Sequence, residues 1–234
     1  MKRFFEKLYT DSKAAFFELL KTNLTENKRM FVVTANPEAF TNGEKNPEFQ
    51  KLMLDPKTTV VADGIGIVKG AKIIGLEIKE RIPGVDITAE LFKVGNELGK
   101  SVYLFGAKTE VLEALIKVLN EKYPNLKIAG ATNGYVEDRD AVFEDILKAE
   151  PDIILVALGI PAQELLIYKH LEKFNKGIFV GVGGSFDVLS GTKKRAPDFF
   201  VNNNMEWLYR ISTEPRRLKR FYNNNVKFFL KIKK

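Results

Sequence analysis

The sequence predicts an α/β protein with a mostly parallel sheet and helices on both of its faces. The first observation is a set of short, almost entirely apolar runs, such as 58–62, 153–158 and 178–182, which are typical of strands buried on both sides. The second is that segments with apolar residues at helical spacing, for example 109–123, separate these runs. Strands that alternate with helices indicate a parallel sheet. The length of 234 residues suffices for one large domain.

Helix-start signals define the first elements of the chain. A helix is predicted over 11–24, and a strand over 30–34 follows it. Asn36-Pro37-Glu38 then combines a capping side chain, a proline for the first helical position and an acid for the first turn. Because 46–48 repeats this combination, the region up to Leu54 is predicted to be a broken helix.

The remaining elements continue the alternation. Asp86 is predicted to cap a helix that ends at Gly99. The further strands are expected over 101–105, 127–130, 153–158 and 178–182, and the further helices over 109–123, around 142–147 and from about 159. Several strand ends carry glycine beside a polar residue, so one edge of the sheet is a candidate site.

Asp63 is the most informative of these strand-end residues. It directly follows the strand 58–62, and Gly64 and Gly66 lead from it into the next apolar run. In open α/β sheets the carboxyl ends of strands line the crevice that binds ligands, so a carboxylate there is placed to face a substrate. The alternative is that Asp63 only caps the next helix, as Asp often does. Both interpretations remain open at this point.

Composition excludes several kinds of site. The chain has no cysteine, which excludes disulfides, thiolate metal sites and a cysteine nucleophile. Its single histidine, His170, excludes a histidine-rich metal site and an ordinary Ser-His-Asp triad, and we expect it to lie on the surface of a helix. The N-terminus does not resemble a signal peptide, and no run approaches the roughly 20 apolar residues of a membrane-spanning helix. We therefore expect a cytoplasmic protein, soluble or peripheral.

Charge separates the end of the chain from the rest. Residues 193–234 contain twelve basic and three acidic side chains, a net charge of +9, whereas the whole chain carries +7. Aromatic residues are interleaved with the cations in 207–222, which is typical of a basic amphipathic helix that lies on an anionic membrane or packs against a partner. The alternative is a helix that packs its aromatic residues on the body. We predict a core over 1–190 and a basic helical C-terminal appendage over 191–234.

Four other patterns have both a functional and a structural interpretation. Gly64-x-Gly66 lacks the third glycine and the acid of a dinucleotide fingerprint. The glycines of 181–184 suit either a phosphate contact or a tight strand-to-helix turn. Asp138-Arg139-Asp140 spells the D-x-D of metal-dependent sugar transferases, but its polar setting before a helix favours capping. Lys193-Lys194-Arg195 is basic, yet no recognition helix or RNA-binding motif accompanies it, so no nucleic-acid partner is predicted.

Ten short motifs occur in a fixed order between about Met30 and Phe221. They are Val33-Thr34-Ala35-Asn36-Pro37-Glu38, Ala62-Asp63-Gly64-Ile65-Gly66, Arg81-Ile82-Pro83-Gly84-Val85-Asp86, Leu104-Phe105-Gly106, Asn133-Gly134-Tyr135, Gly159-Ile160-Pro161-Ala162-Gln163-Glu164, Gly181-Val182-Gly183-Gly184-Ser185-Phe186-Asp187, Arg195-Ala196-Pro197, Glu206-Trp207-Leu208-Tyr209-Arg210 and Glu214-Pro215-Arg216-Arg217. Each is weak alone, but in register they closely resemble the WecG/TagA/CpsF family of bacterial glycosyltransferases. The chain departs from the family pattern at Ala35, at Ala162 and before Glu206, where 202–205 replaces a common Gly-Leu pair.

The resemblance implies a fold, an activity and partners. The fold is expected to be Rossmann-like, with a C-terminal appendage that reaches the inner face of the cell membrane. The reaction is expected to be inverting transfer from a UDP-sugar to an undecaprenyl-diphosphate-linked saccharide, without a metal or other cofactor. In the TagA branch, which the chain resembles most, N-acetylmannosamine goes to undecaprenyl-diphosphate-N-acetylglucosamine and begins the linkage unit of wall teichoic acid. The alternative donors are UDP-N-acetylmannosaminuronic acid and a UDP-hexose.

The resemblance also implies roles for individual residues. Asp63 is expected to act as the catalytic base, with Thr34 positioning it or the acceptor. The donor pocket is expected to contain Asn36, Gly64, Arg81, Tyr135, Gln163, Gly183, Gly184 and Asp187. The residues expected to contact the diphosphate or the membrane are Arg195, Arg210, Arg217 and Arg220.

Two other function classes compete with an enzyme. A nucleotide-binding module or membrane adaptor without turnover would use the same sheet but would not require Asp63 at a strand end. A basic adaptor for membranes or nucleic acid would not require the glycine turns. The sequence leaves the oligomeric state open, and a homo-oligomer is compatible with it.

Overall fold

The computed structural model describes residues 1–214 and 217–232, without the side chains of Arg210, Arg217, Lys219, Arg220, Asn224, Val226 and Lys227. In this described part, six strands form a single parallel sheet. The strands are β1 (Arg29–Ala35), β2 (Thr58–Ala62), β3 (Ser101–Gly106), β4 (Lys127–Thr132), β5 (Ile153–Ala157) and β6 (Gly177–Gly181). Their order across the sheet is β2-β1-β6-β5-β3-β4. The predicted α/β class, with a Rossmann-like sheet, is confirmed.

Two layers of helices cover the sheet, one on each face. The first layer contains α1 (Lys2–Glu6), α3 (Pro37–Lys45), α4 (Pro47–Leu54), α5 (Ile65–Ile73), α8 (Arg139–Ala149) and α9 (Ala162–His170). The second contains α2 (Lys13–Thr25), α6 (Gly84–Glu97), α7 (Thr109–Lys122) and α10 (Ser185–Leu189). The C-terminal part adds α11 (Asp198–Asn202), α12 (Glu206–Thr213) and α13 (Arg217–Ile232).

Strand β1 shows why these runs form strands at the centre of the molecule. Phe31 and Val33 pack in the core cluster of the first helix layer, whereas Met30 and Val32 pack in that of the second. Successive side chains of a strand point to opposite faces, so a strand with helices on both sides must be apolar at nearly every position.

The helix-start signals are confirmed for the first helices, but the cap of α6 is not the predicted one. The side chains of Ser12, Asn36 and Asn46 accept hydrogen bonds from the first turns of α2, α3 and α4. By contrast, α6 begins at Gly84 with Pro83 as its N-cap, so the prediction that Asp86 caps it is wrong. Asp86 lies within the first turn, where a carboxylate is stabilised by the positive end of the helix dipole.

The prediction that His170 lies on the surface is also wrong. Its side chain is 4% exposed, and its Nε2 lies 2.6 Å from Oδ1 of Asp140. The ring stacks on Phe143 with the centroids 4.9 Å apart. The polar neighbours of His170 in the sequence hide the fact that its ring packs against α8.

Helix α13 packs on the body through Phe228, whereas its Tyr222 is exposed. Phe228 is fully buried, and its ring centroid lies 6.0 Å from that of Phe5 and 5.8 Å from that of Phe40. Gly70 of α5 permits this approach, because a Cβ there would lie 2.9 Å from Cζ of Phe5 and from Cδ1 of Ile232. In the described ranges, neither α13 nor any other helix is long and apolar enough to cross a bilayer. The boundary near residue 190 stays a prediction.

Candidate active site

A cleft of about 1200 Å³ lies at the carboxyl ends of the strands. Its lining combines residues that follow β1, β2, β5 and β6 with residues of α12 and α13. Ligand pockets usually have volumes of about 300–1,000 Å³, so this cleft is large enough for a ligand bigger than a single nucleotide. Its place agrees with the general rule that open parallel sheets bind ligands beyond the carboxyl ends of their strands.

The carboxylate of Asp63 faces this cleft. Its backbone N–H donates to the carbonyl of Ala35 at 2.9 Å, which extends the pairing of β1 and β2 by one residue. Its Oδ1 accepts a hydrogen bond from the backbone N–H of Gly84 at 3.3 Å. Helix α5 has Gly64 as its N-cap, so the helix-cap interpretation does not describe Asp63. The carboxylate instead joins the strand end of β2 to the start of α6.

Thr34 lies near Asp63 at the end of β1, the strand between β2 and β6. Its hydroxyl is almost completely buried and donates to the carbonyl of Gly181 at 3.1 Å, which links β1 to β6. A hydroxyl that donates one hydrogen bond can still accept others. Thr34 therefore holds the floor of the cleft together and keeps an acceptor oxygen there.

Gln163 joins two turns at the cleft. Its Oε1 accepts from the backbone N–H of Gly159 at 2.9 Å and from that of Gly183 at 3.2 Å. Gly183 has a φ of +49°, a conformation that favours glycine. Because the Gly183 N–H is bound to Gln163, this N–H group stabilises the turn and is not itself available to a phosphate.

Glu164 lies directly behind Gln163. It is fully buried, and its Oε1 accepts from Nε2 of Gln163 at 2.7 Å. Burial, with a smaller contribution from the nearby charge of Glu38, raises the pKa of Glu164 to about 7. In the sequence, Glu164 is only the last position of a motif. An acid after Gln163 is equally consistent with a position on the solvent-exposed face of a helix.

Arg81 is held at the cleft by the C-terminal part of the chain. Its Nη1 lies 3.2 Å from Oε2 of Glu206, with side chains that are 15% and 8% exposed respectively. Its Nη2 donates to the carbonyl of Val201 at 3.3 Å. Glu206 belongs to one of the sequence motifs, but its pairing with Arg81 could not be predicted from the sequence because the two residues lie 125 positions apart.

Three lysines of the cleft have no place among the predicted site residues. Lys69 of α5 lines it, as do Lys193 and Lys194. Nζ of Lys193 lies 3.4 Å from a carboxylate oxygen of Asp187 and 3.4 Å from one of Glu214. The run 193–195 was visible as a basic cluster in the sequence, but only the structure shows that Lys193 and Lys194 line the cleft and that Arg195 does not.

The structure brings most, but not all, of the predicted residues to the cleft. Those that line it are Thr34, Asn36, Asp63, Gly64, Arg81, Gln163, Gly183, Gly184 and Asp187. Tyr135 does not line it and is 75% exposed, because it follows the edge strand β4 at the far side of the sheet. Arg195 does not line it either, and its Nη2 lies 2.6 Å from Oδ1 of Asp86. The side chains of Arg210, Arg217 and Arg220 lie outside the described part.

The Asp138-Arg139-Asp140 segment caps α8, as its setting indicated. Oδ1 of Asp138 accepts from the N–H groups of Asp140 and Ala141. Asp140 pairs with Lys169, whose hydrogen bond lowers the pKa of the Asp140 carboxyl, together with a smaller effect of His170. Across residues 1–214 and 217–232, no three His, Asp or Glu side chains are grouped so that they could hold a metal ion.

Comparison with known proteins identifies relatives across nearly the whole chain. The model of the Glycosyl transferase WecG/TagA/CpsF family matches residues 7–234. A Bacillus spizizenii protein named N-acetylglucosaminyldiphosphoundecaprenol N-acetyl-beta-D-mannosaminyltransferase is 39% identical over 214 residues, which are 91% of this chain and 83% of the relative. A Bacillus subtilis protein of the same name is 38% identical over 207 residues, 88% of this chain and 80% of the relative. A third, from Staphylococcus aureus, is 36% identical over 220 residues, 94% and 84% of the two chains.

These similarities cover the sheet, the cleft and the C-terminal helices together. The predicted catalytic pair, the glycine turns and the cationic residues of the cleft all fall within the matched range. The chain therefore belongs to the WecG/TagA/CpsF family of glycosyl transferases.

Proposed function

We propose that this enzyme transfers N-acetylmannosamine from UDP-N-acetylmannosamine to undecaprenyl-diphosphate-linked N-acetylglucosamine, the step that begins the linkage unit of wall teichoic acid. The observation that carries the proposal is the similarity, at 36–39% identity, to three proteins named for transfer to this acceptor. A cleft of about 1200 Å³ supports it, because donor and acceptor must be bound at the same time.

The proposed reaction is a single displacement that inverts the anomeric carbon. An acceptor hydroxyl oxygen forms a bond to that carbon, the bond from the carbon to the diphosphate oxygen breaks, and its electron pair leaves with UDP. The Asp63 carboxylate takes the hydroxyl proton as general base. Its half-buried position after β2 and its hydrogen bond from Gly84 hold the carboxylate at the cleft, where the acceptor must lie.

The leaving UDP carries negative charge that the enzyme must stabilise. Lys69, Lys193 and Lys194 line the cleft and are suited to this task by charge and position. Arg210, Arg217 and Arg220 remain the candidates that the family resemblance implies. Helices α12 and α13, which carry these arginines, contribute other residues to the wall of the same cleft.

The reaction is proposed to proceed without a metal ion, as the family resemblance implies. Cationic side chains can stabilise a diphosphate through charge-assisted hydrogen bonds. The site is then built from residues of the chain alone, and added divalent cations have no required role.

The enzyme is proposed to act on the inner face of the cell membrane, because its acceptor is a lipid diphosphate. The large apolar side chains exposed on the C-terminal helices include Phe199, Leu208, Leu218, Tyr222 and Leu230. The same region carries the net charge of +9. Basic residues near an anionic membrane surface each contribute about 1 kcal/mol of attraction.

A donor screen tests the proposal. The purified chain is incubated with an undecaprenyl-diphosphate-N-acetylglucosamine analogue and one donor at a time, and the product mass and UDP release are measured. We expect UDP-N-acetylmannosamine to yield product that is heavier by one N-acetylhexosamine. Product from UDP-N-acetylmannosaminuronic acid or a UDP-hexose alone would support the alternative donors. UDP release without a heavier product would contradict transfer to this acceptor.

A further inference from the structure

One oxygen atom holds two turns of the cleft at a fixed separation. Oε1 of Gln163 accepts from the N–H of Gly159 at 2.9 Å and from that of Gly183 at 3.2 Å. Gly159 follows β5 and Gly183 follows β6, so the oxygen spans the ends of two neighbouring strands. Gln163 is 1% exposed, and its carboxamide is therefore fixed by protein contacts rather than by water.

Only one orientation of this carboxamide satisfies its surroundings. The oxygen faces two N–H donors, and Nε2 donates to Oε1 of Glu164 at 2.7 Å. With the amide turned by 180°, its NH₂ group would face the two N–H donors and its oxygen would face a carboxyl oxygen. The two hydrogen bonds from the glycine N–H groups would be lost, and so would the one to Glu164 whenever its carboxyl is ionised. The acceptor oxygen of Glu164 therefore selects the orientation that joins the two turns.

The burial of Glu164 has a cost. The residue is 0% exposed, and its Oε2 has no hydrogen-bond partner within the described part of the chain. A buried polar atom without a partner costs about 1–3 kcal/mol of stability. An apolar side chain at this position would avoid the cost. A carboxyl at this position accepts a hydrogen bond from Gln163, which an apolar side chain cannot do.

The close fit continues to the strand that Thr34 contacts. A Cβ at Gly181 would lie 2.6 Å from Nε2 of Gln163 and 2.8 Å from Oε1 of Glu164, so the pair requires glycine at this point of β6. The carbonyl of the same Gly181 accepts the hydrogen bond of the Thr34 hydroxyl. Glu164 thus contacts the framework of the cleft without lining the cleft itself.

We propose that Glu164 is a positioning residue, whose buried carboxyl orients the Gln163 carboxamide so that the Gly159 and Gly183 turns keep the spacing needed to bind the donor's nucleoside diphosphate. Glu164 acts through Gln163 and does not touch the substrate. The identity of the ligand rests on the proposed function, whereas the coupling from Glu164 to the two glycines does not.

The test compares Glu164→Leu, which removes the acceptor oxygen, with Glu164→Gln, which keeps one. Hydrogen exchange of the Gly159 and Gly183 amides is measured by NMR, UDP affinity by calorimetry, and KM and kcat by UDP release. In Glu164→Leu we expect both amides to exchange at least about tenfold faster and the Kd for UDP to rise about tenfold, with KM for the donor changed more than kcat. Glu164→Gln should restore protection and affinity. Glu172→Leu, at an exposed position beyond α9, is the control and should change neither.

Each outcome decides the proposal. Unchanged exchange at both glycines in a folded Glu164→Leu protein overturns it, as does unchanged UDP affinity with faster exchange. If Glu164→Leu does not fold, Glu164→Gln still tests the proposal. The proposed role needs only an acceptor oxygen, which Gln keeps, so faster exchange of the Gly159 or Gly183 amide in Glu164→Gln overturns it. A wild-type protein that neither binds UDP nor transfers sugar contradicts the proposed function instead, and the exchange of the two amides still tests the coupling.

Discussion

The guanidinium of Arg81 and the carboxylate of Glu206 form a nearly buried ion pair, 3.2 Å apart, that joins the cleft to α12. Arg81 precedes α6 and lines the cleft, while Glu206 is the first residue of α12. The pair therefore couples the position of the C-terminal helices to the position of a cation at the site.

Glu206→Gln should weaken both the fold and the site. The change removes the charge that compensates a buried guanidinium, so the free energy of unfolding should fall by about 1–3 kcal/mol in urea denaturation. KM for the donor should rise, because Arg81 loses its fixed position. Glu90→Gln breaks the exposed pair with Lys93 and serves as the control, with a change below about 0.5 kcal/mol. If the two variants have equal stability and equal KM, the position of Arg81 does not depend on its ion pair with Glu206 of α12.

Asp63→Asn should fold normally and lose most transfer activity. The substitution keeps the volume and an acceptor for the Gly84 N–H, but an amide cannot take the proton of the acceptor hydroxyl. Loss of a general base typically lowers the rate about 10²- to 10⁴-fold, which kcat from UDP release measures. Asp145→Asn, at an exposed position on α8, should leave the rate unchanged. Wild-type turnover in a folded Asp63→Asn protein would contradict the role of Asp63 as general base and leave it a structural role, such as its hydrogen bond from Gly84.

Glu164 should make stability depend on pH. Its pKa is about 7 in the folded chain against 4.5 for an ordinary Glu, so the folded state retains a proton that the unfolded state has released between these values. The stability that comes from this difference is full below pH 4.5 and is lost as the pH rises through 7. From pH 5 to pH 8 the loss should be about 2 to 3 kcal/mol.

The matched variant for this prediction is Glu164→Gln, which does not titrate. Its melting temperature relative to the wild type should be higher at pH 8 than at pH 5. The amide that it leaves buried contributes equally at both pH values and cancels in the comparison. The charge of Glu38 also raises the pKa of Glu164, so Glu38→Gln is a second control for the pH dependence of the melting temperature. A pH-independent difference in melting temperature would contradict the raised pKa.

Phe228→Ala should destabilise the whole protein and not only α13. Phe228 is fully buried against Phe5 and Phe40, and truncation of a buried Phe costs about 3–5 kcal/mol. Transfer activity should fall as well, because residues of α13 line the cleft. Tyr222→Ala, at a position of the same helix that is 63% exposed, should change the free energy of unfolding by less than about 0.5 kcal/mol. Similar losses of unfolding free energy in the two variants would contradict specific packing of α13 through Phe228.

Transfer should continue in EDTA and should not increase with Mg²⁺ or Mn²⁺. The cations expected to stabilise the leaving diphosphate are side chains, which a chelator does not remove. The measurement is the initial rate of UDP release from chelator-treated enzyme. Activity that EDTA abolishes and Mg²⁺ restores would contradict the metal-free mechanism, and the cleft carboxylates Asp63 and Asp187 would become candidate ligands.

The sequence was most informative where a signal is local. Asn36 caps α3 because capping needs only the next few residues, and Asp63 could be placed because strand ends of a parallel sheet share one edge. It was least informative where tertiary packing decides. His170 is buried because its ring packs on Phe143 of α8, and neither this burial nor the pairing of Arg81 with Glu206 can be predicted from residues nearby in the sequence. The exposed position of Tyr135 beyond the edge strand β4 follows from strand order, which motifs do not encode.

The contact between Phe5 and Phe228 has a consequence for synthesis on the ribosome. The residues of α1, α3 and Gly70 that make this apolar surface are synthesised early, but Phe228, whose ring covers it, lies 158 residues after Gly70 in the chain. At about 5–20 residues per second, this surface waits roughly ten seconds or more for its cover. During that interval the nascent chain presents a hydrophobic patch without its partner, which is the kind of surface that chaperones bind. Until α13 has been synthesised, this apolar surface therefore lacks the ring that covers it in the folded chain.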